Sequence, residues 1–333
     1  MKILDAMQKT GVSRRNFLAG ASALGAASVL AGCSNNGTVT TPTTPPTTPP
    51  TTPPPPTTAY TDADILNFAL NLEYLEGQYY LYAATGMGLS AADTGGSSAT
   101  VTVPAKTKIP GLTSLQQDII NEIAYDEQQH VRFLRSALGS AAVAMPALDL
   151  MNSFNALATA AGIGTSFNPF ASFDAFLVGA FIFEDVGVTA YSGAAPLISA
   201  AGVTSGLLNY AAGIQSVEAY HAAYIRTILT GSAIADAKYP YLGYANQVSA
   251  LRATLGGGNE TALTLPTSIS TPSSIVAASP TTAIAYSRTT DQVLHIVYGS
   301  LSNTAGATAS AAGVASGTFF PAGLNGNIKV TLS

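Results

Sequence analysis

The pattern Glu-x-x-His occurs twice in the chain, at Glu127–His130 and at Glu218–His221. Residues three apart on a helix lie on the same face, so each segment directs one carboxylate and one imidazole toward the same point. The chain contains only 3 His and seven Glu among its 333 residues, and both copies draw on that small supply. One copy alone is weak evidence, because charged pairs at this spacing are usually solvated. Two copies in such a chain predict two helices that supply ligands to a shared metal site.

The apolar residues between positions 60 and 230 recur at helical spacing and predict four long helices. Asp62 is a candidate N-cap for the first of them. The predicted ranges are 62–84, 113–138, 172–191 and 205–230. A long connection over 140–169, with a short helix near 148–160, separates the second long helix from the third. Two helices, a long crossover and two more helices are typical of one class of four-helix bundle.

The four predicted helices form two copies of one helical hairpin. Glu73 and Tyr80 of the first helix have the same spacing as Glu184 and Tyr191 of the third. The second and fourth helices each carry a Glu, a His and an Arg in the same order and with the same spacing. If an approximate two-fold axis relates the hairpins, four Glu and two His meet at a central point.

This order of ligands on successive helices resembles the ferritin-like dimetal-carboxylate superfamily over about residues 60–255. The segments 66–83 (LNFALNLEYLEGQYYLYA) and 184–198 (EDVGVTAYSGAAPLI) are similar to the exported branch that includes desiccation-related proteins, as are 291–299 and 319–328 near the C-terminus. The resemblance implies an all-α fold. It implies a ferritin-like four-helix bundle, made of two helical hairpins with a long crossover, followed by an irregular C-terminal tail.

Six side chains are the predicted metal ligands: Glu73, Glu127, His130, Glu184, Glu218 and His221. Glu127 and Glu218 are the predicted bridges between two metals, because their helices also supply the His ligands. Glu73 and Glu184 are then terminal ligands, one for each metal. Four carboxylates neutralise two divalent ions, and oxygen-rich ligation with one imidazole per metal suits Fe, with Mn as the alternative.

Other residues of the first and third helices leave alternatives open. Glu76 lies one turn after Glu73, so either could be the first-helix ligand; Glu73 preserves the repeat, and Glu76 is then a neighbour of the ligands or an ordinary surface residue. Tyr80 and Tyr191 lie two turns after their Glu residues. They either hydrogen-bond near the metals or are ordinary core tyrosines.

Asp126 precedes a predicted bridging ligand. In the superfamily that the chain resembles, an Asp at this position orients the His of the opposite helix, here His221. Val217 occupies the matching place in the second copy and breaks the symmetry. Arg135 and Arg226 are predicted either to pair with acids at an end of the bundle or to lie on a solvated surface.

Residues 1–33 read as an export signal: Arg14 and Arg15 form a twin-arginine motif, and the apolar run that follows is too short to span a bilayer. It ends in Leu-Ala-Gly before Cys33, which resembles a lipoprotein box. Lipidation of Cys33 would anchor the exported protein to a membrane, facing the periplasm or cell exterior. The alternative is a plain cleaved signal with an incidental Cys. The Thr/Pro-rich segment 34–59 is a predicted extended linker.

Residues 256–333 are rich in Gly, Ser, Thr and Ala and form a C-terminal extension without a catalytic signature. Within it, 288–299 is predicted to form a short helix that docks on the bundle, and 318–332 an extended wrap. The net charge of -5 and the lack of a basic cluster make nucleic acid an unsuitable partner. The single Cys excludes an internal disulfide framework.

Three functions are compatible with these features. The first is redox chemistry on O₂ or peroxide at a dinuclear site, with a small-molecule oxidant as the partner. The second is a metal-binding or structural stress protein without turnover. The third is an interaction protein whose bundle has lost its metal, against which the complete ligand set argues. The sequence is compatible with a homo-oligomer, although a stalk and long tails disfavour a closed storage cage.

Overall fold

The computed structural model describes residues 60–265, 275–299 and 318–330. The predicted export signal with its Cys33 and the predicted linker over 34–59 lie outside the described residues. All six predicted metal ligands lie within the first described range.

Helix is the main secondary structure of the described residues, beside one pair of two-residue strands, which confirms the predicted all-α class. Its helices are α1 (Asp62–Thr85), α2 (Ser114–Leu138), α3 (Asn152–Ala160), α4 (Phe173–Ala194), α5 (Ala200–Ser205), α6 (Leu207–Ala235), α7 (Tyr241–Leu255) and α8 (Thr290–Tyr298). Short 3₁₀ turns follow α2 and α4, at Gly139–Ala141 and Ala195–Leu197. The four long helices predicted from the sequence are α1, α2, α4 and α6.

Hydroxyl side chains begin the first two long helices. Thr61 caps α1 and Thr113 caps α2, each within a capping box in which a side chain three residues on bonds back to the cap. The prediction that Asp62 caps α1 is wrong by one residue. The Asp62 carboxylate instead accepts hydrogen bonds from the backbone and hydroxyl of Ser199 and so ties the start of α1 to the start of α5.

Two helical hairpins build the bundle. α1 packs along α2, α4 packs along α6, and the hairpins meet through α1 and α4. These two helices are buried on almost all sides: the middle of α4 is apolar around most of its circumference, whereas α1 also buries polar residues such as Asn71 and Gln78. The backbones of α2 and α6 approach each other less closely than those of α1 and α4.

A pair of two-residue parallel strands joins the loop of the first hairpin to the crossover: β1 (Val101–Thr102) lies between α1 and α2, and β2 (Leu148–Asp149) follows α2, just before α3. α7 was not predicted. It packs against α4 and α6 as a fifth helix and also contacts α3.

The described part of the C-terminal extension belongs to the same hydrophobic core as the bundle. α8 confirms the predicted docking helix and packs on α4 and α7. Phe319 is fully buried, with its ring centroid 4.9 Å from that of Phe183 and 5.3 Å from that of Phe154. Residues 318–330 follow a series of turns rather than the predicted extended wrap.

Candidate metal centre

The middle of the bundle holds four fully buried carboxylates. Glu73 of α1, Glu127 of α2, Glu184 of α4 and Glu218 of α6 are all 0% exposed. His130 and His221 lie beside them, with 8% and 6% of their surface exposed. The structure therefore brings all six predicted ligands to one place, as the two-fold repeat requires.

The six side chains form two groups, each compact enough to surround one ion. Glu73, Glu127, His130 and Glu218 offer ligand atoms that all lie within 4.8 Å of one another, and so do Glu127, Glu184 and His221. Glu127 belongs to both groups. This is the geometry expected of a carboxylate that bridges two metals.

Distances between the ligand atoms define the two half-sites. His130 Nδ1 lies 3.2 Å from Glu73 Oε2, 3.3 Å from Glu127 Oε2 and 3.5 Å from an oxygen of Glu218. His221 Nδ1 lies 3.1 Å from Glu127 Oε1 and 3.4 Å from an oxygen of Glu184. Each His thus faces a different oxygen of Glu127.

Several of these buried atoms have no hydrogen-bond partner within the described residues. They are Glu73 Oε2, Glu127 Oε1, Glu184 Oε2, both carboxylate oxygens of Glu218, and His221 Nδ1. Leaving so many polar atoms unsatisfied in an interior is costly, whereas metal ions between them would satisfy them together. The donor set therefore fits two divalent metals.

The electrostatics of the cluster point the same way. Burial raises the pKa of Glu73 to about 7, against the opposing attraction of His130. Burial alone would also raise the pKa of Glu127, but the two neighbouring imidazoles hold it well below its usual range. Burial raises the pKa of Glu218 well above its usual value, and the like charges of Glu127 and Glu184 add to this effect. Without a metal ion, the four carboxylates therefore share only the positive charge that the two imidazoles can carry.

Tyrosines from the opposite hairpin orient the two predicted terminal ligands. The Tyr80 hydroxyl of α1 donates a hydrogen bond to Glu184 Oε1, and the Tyr191 hydroxyl of α4 donates one to Glu73 Oε1. Each bond engages one oxygen and leaves Oε2 directed at a half-site. The sequence left open whether these tyrosines hydrogen-bond near the metals or are ordinary core residues. The structure shows that both hydroxyls bond to predicted ligands.

Asp126 lies at the edge of the cluster and contacts an imidazole from the other hairpin. Its Oδ2 is 3.2 Å from His221 Nε2. When Nε2 carries the proton and donates it to Asp126, Nδ1 is left free to bind a metal. This is the contact that the family resemblance implied.

A family model described as a ferritin-like domain matches residues 61–231. The chain belongs to the ferritin-like domain family. It is similar to the desiccation-related protein PCC13-62 of Craterostigma plantagineum, with 32% identity over 208 residues, 59% of this chain and 63% of that protein. It is also similar to the ferritin-like catalase Nec2 of Nesocodon mauritianus, with 27% identity over 282 residues, 80% of this chain and 84% of that protein. The alignment thus covers less than two thirds of the desiccation-related protein. Together, the family model and the two relatives confirm the ferritin-like superfamily and its branch with desiccation-related proteins, both of which were predicted from the sequence.

Two residues of this ferritin-like chain break the two-fold repeat next to the ligands. The repeat that aligns Glu73 with Glu184 also aligns Glu76 with Gly187. Glu76 is 4% exposed, so it is not a surface residue, and it belongs to neither of the two ligand groups. A side chain at Gly187 would overlap a carboxylate oxygen of Glu218, so the glycine makes room for a predicted bridge. Sequence reasoning missed Gly187, although its alignment with Glu76 was the available signal.

A buried network of charges adjoins the centre and was also missed. Arg226 of α6 and Arg252 of α7 each donate a hydrogen bond to Asp185 Oδ2, in both cases at 2.7 Å. Arg252 also bonds Glu260 at 2.8 Å, and Arg288 bonds the other oxygen of Glu260 at 2.6 Å. The network links α4, α6, α7 and the segment before α8. The sequence left two interpretations of Arg226 open, pairing with an acid or exposure to solvent. The structure confirms that Arg226 pairs with an acid, but the pair lies in the protein interior rather than at an end of the bundle.

Proposed function

We propose that the centre binds two divalent metals, Fe or Mn, and that the loaded protein disproportionates hydrogen peroxide. The observation that carries the proposal is the convergence of four buried Glu and two His whose ligand atoms lack other partners. Glu127 and Glu218 would bridge the ions, and Glu73 and Glu184 would bind one ion each. His130 and His221 would complete the two half-sites.

Two redox-active metals bound in such a site would supply two-electron chemistry on peroxide. In the overall reaction, one H₂O₂ loses two electrons and two protons to become O₂, and a second H₂O₂ takes them up to become two H₂O. The residues of the chain hold the ions, and Tyr80 and Tyr191 fix the terminal carboxylates. The apolar interior of α1 and α4 keeps bulk water out.

The similarity to the ferritin-like catalase Nec2 supports catalysis. The similarity to the desiccation-related protein PCC13-62 favours a second candidate, a metal-binding stress protein without turnover. Both require the same metal centre. Peroxide turnover above that of the free ions separates the two.

The experiment measures metal content and peroxide turnover in natively produced protein, with Glu218→Gln as the variant. Glu122, an exposed glutamate on the same helix as Glu127, provides the matched control Glu122→Gln. We expect about two metals per chain and O₂ release in the parent and control, and loss of both in Glu218→Gln. Turnover that survives complete metal removal would refute the proposal, and full metal without turnover would favour the second candidate.

We also propose that the protein is exported and anchored to a membrane through lipidated Cys33. The twin-arginine motif at Arg14 and Arg15 and the Leu-Ala-Gly-Cys sequence support this. Among the described residues, no helix is both long and apolar enough to cross a membrane. Residues 34–59 would serve as the stalk between the anchor and the bundle.

A further inference from the structure

A small cavity lies against the metal centre, on the side where α1 and α4 meet α8. Its volume is about 20 Å³, enough for one molecule of the size of water or slightly larger. Its walls include Val186 of α4, Val297 of α8 and Phe319. Glu76 supplies the one carboxyl group among otherwise apolar walls.

Glu76 lacks a partner of its own. It is 4% exposed, and no side chain or backbone group of the described residues hydrogen-bonds its carboxyl group. A buried carboxyl without a partner is costly, and a small polar molecule in the adjoining cavity would satisfy it. The carboxyl group and the cavity therefore make one polar site in an apolar chamber.

Gly187 connects this chamber to the predicted ligands. It lines the cavity, and a Cβ at this position would lie 3.5 Å from Glu76 Oε1 while overlapping an oxygen of Glu218. The missing side chain lets a Glu218 oxygen approach the backbone of α4 at the wall of the chamber, on the same side as Glu76 Oε1. A molecule held by Glu76 is therefore next to a predicted metal bridge.

A second cavity provides the contrast. It has the same volume, about 20 Å³, and is walled by apolar residues that include Ala194. Its polar group is Tyr191, whose hydroxyl already donates to Glu73. This second cavity adjoins the centre but has no unpartnered polar group to hold a ligand.

We infer that the chamber beside Glu76 binds hydrogen peroxide next to the dimetal centre, with the Glu76 carboxyl group as its hydrogen-bonding partner. The inference rests on the proposed function. Peroxide is small, uncharged and able both to donate and to accept hydrogen bonds, so it matches one carboxyl group in an apolar chamber. Glu76 forms and breaks no covalent bond in this role; it holds the molecule.

Steady-state kinetics with H₂O₂ tests the inference. Glu76→Leu removes the hydrogen bond, so we expect KM to rise about tenfold with metal content unchanged. Glu76→Gln keeps an acceptor oxygen and two donors, so KM should stay within about threefold of the parent value. Loss of metal in both variants would make Glu76 a ligand and overturn the inference.

Two substitutions, each of which fills one of the two cavities, test the inference without changing Glu76. Val297→Phe fills the chamber, whereas Ala194→Leu fills the second cavity. We expect Val297→Phe to lower kcat/KM about tenfold and Ala194→Leu to leave it within about twofold, with metal content unchanged in both. Equal kinetics for the parent and Val297→Phe would overturn the inference. A parent protein without turnover would instead contradict the proposed function.

A crystal structure of the metal-free protein gives a readout that does not depend on turnover. We expect an ordered water, replaced by peroxide in soaked crystals, within hydrogen-bond distance of Glu76. In Glu76→Leu crystals the same density should be absent. An empty chamber with the Glu76 carboxyl group bonded to protein atoms would overturn the inference even if the parent protein decomposes peroxide.

Discussion

Glu73 and Glu184, the two predicted terminal ligands, each divide their carboxylate oxygens between a protein partner and a half-site. Glu184 accepts the Tyr80 hydroxyl on Oε1 and directs Oε2 to within 3.4 Å of His221 Nδ1. Glu73 does the same with Tyr191 and His130. The ligand geometry is therefore fixed by hydrogen bonds between the hairpins before any metal binds, which lowers the cost of ordering the site when it does.

Gly187→Ala tests how tightly the centre is packed. The new methyl group would overlap a Glu218 oxygen, so we expect metal affinity to fall by roughly ten- to hundredfold. Gly77→Ala in α1 is the control, because its Cβ would make ordinary contacts with the side chains of Leu89 and Val131, at 3.4 Å and 3.6 Å. That control should keep its metal and gain about 0.5–1 kcal/mol in free energy of unfolding. Metal titration and chemical denaturation of both variants check the expectation; equal metal affinity in the two would contradict it.

Metal binding should depend on pH because protons compete for the same oxygens. The pKa of Glu73 is raised to about 7, so this carboxyl group is mostly protonated below that pH and must lose its proton to bind a metal. Affinity should therefore rise as the pH rises through about 7, with protons released on binding. Calorimetric titration of Mn²⁺ in buffers of different ionisation enthalpy measures both the affinity and the number of protons released. Affinity that stays constant from about pH 5.5 to 8 would contradict the expectation.

Residues with a chemical signature were identified from the sequence, and a residue that acts by leaving space was not. The Glu-x-x-His pairs and the repeat of Glu73 at Glu184 led to the ligands because carboxylate and imidazole are uncommon in this chain. Gly187 is one of 31 glycines, and nothing local distinguishes it. Its role depends on Glu218, which is 31 positions away and reaches it only in the folded bundle.

At the scale of elements, the sequence predicted the helices that carry their own pattern. The four long helices and α8 begin and end within a few residues of their predicted bounds, since caps and apolar spacing are local properties. α7 was missed because few of its buried residues are large and apolar, and its inner face includes Arg252. The arginine is buried only because Asp185 and Glu260 reach it from other segments.

Arg252→Leu tests the network that holds these elements together. Removing one member leaves Asp185 and Glu260 short of a buried partner, so the free energy of unfolding should fall by about 3–5 kcal/mol. The control is Arg132→Leu, because Arg132 is half-exposed and its buried partner Asp93 keeps hydrogen bonds from Ser90 and Gln128. That change should cost no more than about 1 kcal/mol. Urea denaturation of the two variants measures the difference, and equal losses would contradict a structural role for the network.

For the whole molecule, the two hairpins share a plan at the centre and differ around it. Arg226 pairs with Asp185 in the second hairpin, whereas its counterpart Arg135 donates a hydrogen bond to the Tyr74 hydroxyl in the first. Because the second hairpin faces α7, Glu260 and Arg288, it can carry an ionic network there. The tail and α7 thus make one half of a nearly symmetric bundle different from the other, and the chamber beside Glu76 lies on the side that the tail covers.

The proposed membrane location of the whole molecule depends on one atom, the sulfur of Cys33. A diacylated N-terminal Cys binds membranes far more tightly than an unmodified chain, because each buried methylene of the lipid contributes about 0.8 kcal/mol. Cys33→Ala should therefore move the exported protein from the membrane fraction to the soluble extracytoplasmic fraction. The neighbouring change Ser34→Ala should leave it membrane-bound. Fractionation and detergent-phase partitioning measure both, and a Cys33→Ala protein that stays with the membrane would show that something other than the lipid holds it there.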